Sequence, residues 1–226
     1  MADVICVGAH PDDVEIGMGA TASKMARGGL KVLLLDLTDG EPTPRGSHET
    51  RMREAAASAK ALGVRRHTLD LPNRELFDTV AARKAVAEVF RAEKPRIVFA
   101  PYPIDAHPDH IAASAIVEAA RFYSKFVKTD MGGEPYFPVK LYHYWAVHLR
   151  ALEKPSFVVE VGDYMPSKMR ALDCYESQFD TGDKDSGILR WVEVQAAAWG
   201  AMVGVSAGEP FYAREQIGVR DIMDLL

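Results

Sequence analysis

The sequence predicts one α/β domain spanning residues 1–226, with a Rossmann-like, mostly parallel sheet flanked by helices. Three observations predict it. In the first half, short apolar runs alternate with helical patterns across brief connections, the signature of parallel βαβ units. No linker, low-complexity tract or block of like charges divides the chain. Hydrophobic residues make up 48% and charged residues 26%, the composition of an ordinary globular protein.

The elements follow in order. Asp3–Gly8 reads as a buried strand, followed by a helical pattern over Gly17–Arg27 that Gly28 and Gly29 end. Lys31–Leu37 is a second strand, and a loop through Asp39, Gly40 and Pro42–Pro44 leads to an Ala-rich helix at Glu49–Leu62 that Gly63 stops. Val64–Leu71 reads as the third strand, Thr79–Glu93 as a helix and Arg96–Ala100 as the fourth strand, with a helix over Pro108–Ser124 after it. The second half is less regular. Gly and Pro in Thr129–Pro138 mark a loop, strands are expected near Lys140–Ala146 and Phe157–Val161, and helices over Tyr164–Ser177 and Ile188–Val203. Pro210–Val219 is expected to add an edge strand.

Composition excludes several classes of function. The 27 basic residues are scattered and outnumbered by 32 acidic ones, so a nucleic-acid partner is not expected. The two cysteines, Cys6 and Cys174, are too few for a zinc ribbon or a disulfide framework and suit a reducing compartment. No apolar stretch approaches the ~20 residues of a membrane span, and no basic, apolar leader opens the chain. No membrane partner and a cytoplasmic location are expected.

Two segments nearly repeat each other. Ala9-His10-Pro11-Asp12-Asp13 follows the first strand, and Ala106-His107-Pro108-Asp109-His110 follows the fourth. In a doubly wound sheet, ligands bind at the carboxyl ends of strands where the strand order reverses. With the order 3-2-1-4-5, strands one and four are neighbours there, and the two segments face each other across one cleft. Residues three apart share a helix face, so His10 with Asp13, and His107 with His110, can converge. Imidazoles and a carboxylate suit zinc, which in catalytic sites takes three protein ligands and leaves one position open. A second carboxylate beside a ligand can then act as a base.

Taken singly, either His-Pro-Asp segment could be no more than a helix start, with its acid answering the macrodipole. His is not a favoured cap, however, and this chain uses it at both of the strand ends that should be adjacent. Dinucleotide binding is a poor fit. The first turn is not G-x-G-x-x-G, and Pro11 with two carboxylates repels a pyrophosphate that needs bare N–H groups.

The paired segments, with Glu15 and Gly17 after the first, resemble the LmbE/PIG-L family of zinc-dependent N-acetylglucosaminyl deacetylases. Arg51 and Glu54, the Leu71-Pro72-Asn73-Arg74 segment, and Lys168, Leu172, Tyr175 and Gln178 support the resemblance as a set. Within the family, the chain is most similar to the bacterial branch that deacetylates N-acetylglucosaminyl malate in bacillithiol biosynthesis. The resemblance implies that His10, Asp13 and His110 hold the metal, zinc or else iron or another divalent ion. It implies Asp12 as general base, and His107 as the cationic partner of the oxyanion or the leaving amine, oriented by Asp109. It also implies a substrate-gripping arginine, best matched by Arg51, with Arg53 two positions away.

The implied partner is a small amino-sugar conjugate, and a homo-oligomer is expected. Two departures bear on the substrate: relatives in this branch carry Arg where this chain has Ala106, and Tyr near Ser206 and Ala207. A zinc amidohydrolase acting on a non-sugar amide is therefore the alternative. A non-catalytic binding module would lack a ligand or the base, and none is missing. His48, His67, His143 and His148 have no ligand-spaced partners and read as surface or structural residues. Trp191, Trp199 and Met202 recur near helical spacing and suit a core or subunit interface. Asp36 and Asp39 end the second strand at the same sheet edge. Either can line the pocket rim, although Asp39-Gly40 fits a turn better.

Overall fold

The computed structural model describes all residues except 44, 147, 149–152, 180–186 and 226. Pro44, the end of the expected Pro42–Pro44 loop, thus lies outside the described residues. Strands β1 (Val4–Gly8), β2 (Val32–Asp36), β3 (Arg65–Thr68), β4 (Ile97–Pro101), β5 (Lys140–Tyr144), β6 (Phe157–Glu160) and β7 (Gly208–Tyr212) form one sheet in the order β3-β2-β1-β4-β5-β7-β6. β1 to β5 run parallel, with β1 between β2 and β4. The strand order therefore reverses at β1 and β4, as the sequence predicts.

Alternation along β1 explains the two layers. Ile5 and Val7 pack with Leu33, Leu35 and Val98 against Phe90 of α3 (Val80–Glu93) and Ile116 and Val117 of α4 (Pro108–Tyr123). Val4 and Cys6 face the other way, towards Val14 and Met18 of α1 (Asp13–Arg27), Leu62 of α2 (His48–Leu62) and Ala171 of α5 (Met165–Asp173). With both faces covered, all five residues of β1 are buried, which is why its sequence is continuously apolar.

Three expectations are corrected. α1 begins at Asp13 rather than Gly17 and breaks at Met18, whose φ of −149° and ψ of 24° are not helical. Gly17 sits at that break because a Cβ there would come within 2.2 Å of the Tyr144 ring, so only glycine lets the helix reach β5. The helix expected over Tyr164–Ser177 is two helices, α5 and α6 (Glu176–Phe179), with the chain turning at Tyr175 to bury its ring. β7 is not an edge strand: it lies antiparallel between β5 and β6, and β6 is the edge. Pro210 is tolerated there because the β5 pairing stops at Phe211, so its missing N–H faces no ladder partner on that side.

Candidate active site

Both His-Pro-Asp segments leave the sheet at its carboxyl end and open a helix. His107 is the N-cap of α4, with its Nδ1 accepting the Asp109 N–H at 3.1 Å and Pro108 in the first turn. At α1 the cap is Asp12, not His10, and Asp12 holds a φ of 112°, a strained backbone for a non-glycine residue. The turn lets Asp13 reach back, so its Oδ2 accepts the His10 N–H at 2.9 Å.

The two segments meet. Asp13 Oδ1 lies 3.1 Å from His110 Nε2, and His10 Nε2 lies 3.1 Å from Asp109 Oδ2. The His107 and His110 rings stack at 4.8 Å, and His10 stands edge-on to His107 at 4.9 Å. Ligand atoms of His10, Asp13 and His110 all lie within 4.8 Å of one another, as do those of His10, His107 and Asp109.

The first trio fits a metal better. His110 is buried with neither ring nitrogen hydrogen-bonded, although its Nε2 faces a carboxylate oxygen. In the second trio, Asp109 Oδ2 already accepts from His10 and from the Arg74 N–H at 2.7 Å, and His107 Nδ1 is taken by the cap. Charge agrees. Burial alone would lower both imidazoles, yet Asp109 and Asp13 carry His10 up to about 9, and Asp13 and Asp105 carry His110 up to about 10. A dication held between them would answer the same negative field.

The flanking residues depart in part from expectation. Burial lifts the Asp12 carboxyl up to about 7, against the opposing charge of Arg51. Asp109 is not paired with His107 through its carboxylate; it orients His10 instead. Burial and the neighbouring imidazoles of His110 and His10 push His107 below its ordinary value. With Nδ1 taken by the cap, Nε2 is the ring nitrogen left to serve the cleft. Arg51 reaches the cleft wall but is only 4% exposed, and its Nη2 donates to Asp12 Oδ2 at 2.9 Å and to Pro11 O. That contact braces Asp12, while Arg51 Nε and Nη1 are buried without a hydrogen-bond partner, and Arg53 is exposed on the outer face of α2.

Some participants escape sequence reasoning. Asp105 Oδ2 lies 3.3 Å from His110 Nδ1, and its Oδ1 accepts the His107 backbone N–H at 2.8 Å, so one carboxylate faces the His110 imidazole and pins the main chain at His107. Its position two residues before His107 was the available signal. His148, read as surface or structural, lies 5.4 Å from the rings of both His107 and His110 and lines the cleft. His143 is buried beside Pro101 O, and His48 pairs with Asp39 on the surface. Asp36 does not line the pocket: it is buried under Arg66, which also holds Glu15.

The family model described as GlcNAc-PI de-N-acetylase, PIG-L, matches residues 5–121. The diacetylchitobiose deacetylase of Thermococcus kodakarensis is 36% identical over 192 residues, covering 78% of this chain and 70% of that protein. A 1D-myo-inositol 2-acetamido-2-deoxy-alpha-D-glucopyranoside deacetylase of Saccharopolyspora erythraea is 28% identical over 235 residues, covering 79% of this chain and 84% of that one. Among solved structures, a conserved protein of Thermus thermophilus superposes with a TM-score of 0.89 at 34% identity, covering 97% of this chain and 98% of its own.

Proposed function

The chain belongs to the PIG-L family, and from that premise we propose that it hydrolyses the acetamide of an N-acetylglucosamine glycoside to acetate and a free amine. The meeting of Asp13 with His110 across the β1–β4 switch point carries this reading, because it assembles a base, a donor and a metal-competent trio in one cleft. His10, Asp13 and His110 would hold the metal, and the two-imidazole, one-carboxylate donor set suits zinc. Such an ion, when bound, polarises the amide carbonyl and acidifies water.

The chain's own residues do the rest. Asp12 takes the proton of the attacking water and returns it to the departing nitrogen, so the reaction closes with no other acid. Arg51 keeps Asp12 aimed. His107 donates through Nε2 to the oxygen on which negative charge develops. Asp109 and Asp105 hold His10 and His110 in register.

Two readings of the aglycone follow. The named relatives act on diacetylchitobiose and on an inositol glycoside, which favours a second neutral ring. The N-acetylglucosaminyl malate of the bacillithiol branch would need cations for its carboxylates. With Arg51 almost fully buried and its Nη2 on Asp12, exposed Arg74 at the same cleft is the guanidinium that favours this second reading. Acetate release is to be measured from diacetylchitobiose, N-acetylglucosamine, the malate glycoside and a simple N-acetyl amine. Release from the sugars and not from the simple amide is expected. Cleavage of the simple amide alone would replace this reading with that of a non-sugar amidohydrolase.

A further inference from the structure

A second cavity, of about 210 Å³, adjoins the cleft. Ile16, one turn along α1 from Asp13, lines both. α7 (Ile188–Met202) borders both as well, with Ile188 at the cleft and Trp191, Gln195 and Trp199 at the cavity. Trp145 adds a third indole, stacked on Tyr102 at 4.8 Å.

Charge in this cavity is already neutralised. Lys168 Nζ lies 2.6 Å from Glu209 Oε1, with both side chains almost fully buried. Glu209 also accepts the N–H groups of Ala20 at 3.2 Å and Thr21 at 2.7 Å, which the break at Met18 releases from the helix ladder. What remains for a ligand is aromatic surface and one amide. Among the described residues no ring stacks on Trp191, and Gln195 has no hydrogen-bond partner. Flat indole faces suit the C–H face of a pyranose, and a primary amide can both give and accept a hydrogen bond with its hydroxyls. Among the described lining residues, a carboxylate would find no unpaired cation.

We propose that this cavity is the subsite for the second sugar ring of a disaccharide or longer amino-sugar chain whose N-acetyl group lies at His10, Asp13 and His110. The proposal rests on the deacetylase reading and extends it to substrate choice: a neutral sugar ring, rather than a dicarboxylate, occupies the position beyond the reacting residue.

The test compares kcat/KM for acetate release from diacetylchitobiose with that from N-acetylglucosamine in the wild type, Trp191→Ala and Trp191→Phe. The disaccharide-to-monosaccharide ratio is expected to fall roughly fivefold to tenfold in Trp191→Ala, the worth of a good aromatic contact, and to recover in Trp191→Phe. An unaltered ratio in a folded Trp191→Ala would overturn the subsite. A binding arm needs no turnover: chitobiose, the fully deacetylated disaccharide, should change indole emission in the wild type and less in Trp191→Ala, whereas glucosamine should not. Disaccharide binding through Trp191 without acetate release from any sugar would sustain the subsite and remove the deacetylase reading. Acetate release from both sugars with equal losses in Trp191→Ala would do the reverse, as would a change of oligomeric state that lowers both alike.

Discussion

Asp12→Asn is expected to lower kcat for acetate release by about 10²–10⁴, the usual worth of a positioned general base. Asparagine keeps the size of the side chain, tolerates a positive φ such as the 112° of residue 12, and can still accept from Arg51 Nη2. It cannot take a proton from water. Thermal stability and metal content should therefore stay near those of the wild type, and KM should change less than kcat, since the lost interaction belongs to the transition state. Turnover near the wild-type value would mean that a different group accepts the proton.

Arg66→Leu is the second large effect, and it falls on stability. The Arg66 guanidinium meets Asp36 through Nε at 2.6 Å and Glu15 through Nη1 at 2.7 Å, and both carboxylates are 0% exposed. Ser58 and Tyr175 also donate to Glu15, at 2.7 and 2.8 Å, but neither brings charge. Removing the cation leaves two buried acids uncompensated, a cost of roughly 3–5 kcal/mol. For a chain of this length, that is a fall in Tm of about 6–20 °C. The sign with pH can be checked too. Burial already holds Asp36 above the ordinary carboxylate range even beside Arg66. Without Arg66 its folded pKa rises further above the unfolded value, so the variant binds more protons folded than unfolded. Its deficit relative to the wild type should then shrink as pH falls and widen as pH rises. Urea unfolding of both proteins across the acidic range measures this; a loss below about 1 kcal/mol would show that the hydroxyl donors suffice.

The contrast between these two residues shows what the sequence could reveal. Asp12 lies in a contiguous segment, and that segment is echoed after the fourth strand, so a local pattern plus one topological rule brings both halves of the site together. His10, Asp12, Asp13, His107, Asp109 and His110 all stand at that switch point. Arg66 reads instead as one basic residue in a polar edge strand. Its partners come from α1 and β2, and only the finished packing joins them.

The contacts that differ from expectation share that cause. Asp109 follows His107 closely in sequence, but helix geometry turns its carboxylate across the cleft to His10. Arg51 is aimed at the cleft by α2, and there its Nη2 meets the Asp12 carboxylate, a pairing that sequence spacing does not encode. The place of β7 inside the sheet depends on antiparallel pairing with β5 and β6, which no periodicity within residues 208–212 encodes. Trp191 and Trp199 show helical spacing equally compatible with a core, an interface or a lined cavity. Only the packed structure shows a cavity beside them whose described charged residues, Glu209 and Lys168, are paired with each other.

The central claim is that the two facing segments form one metal-dependent hydrolytic centre. Its most direct test is acetate release from diacetylchitobiose before dialysis against a chelator, after it, and after zinc is returned, with wild type and His110→Ala in parallel. The expected result is activity lost with the metal and regained at roughly one zinc per chain in the wild type, with none regained in His110→Ala. Acetate release that persists at the wild-type rate after complete metal removal, or in His110→Ala, would contradict it.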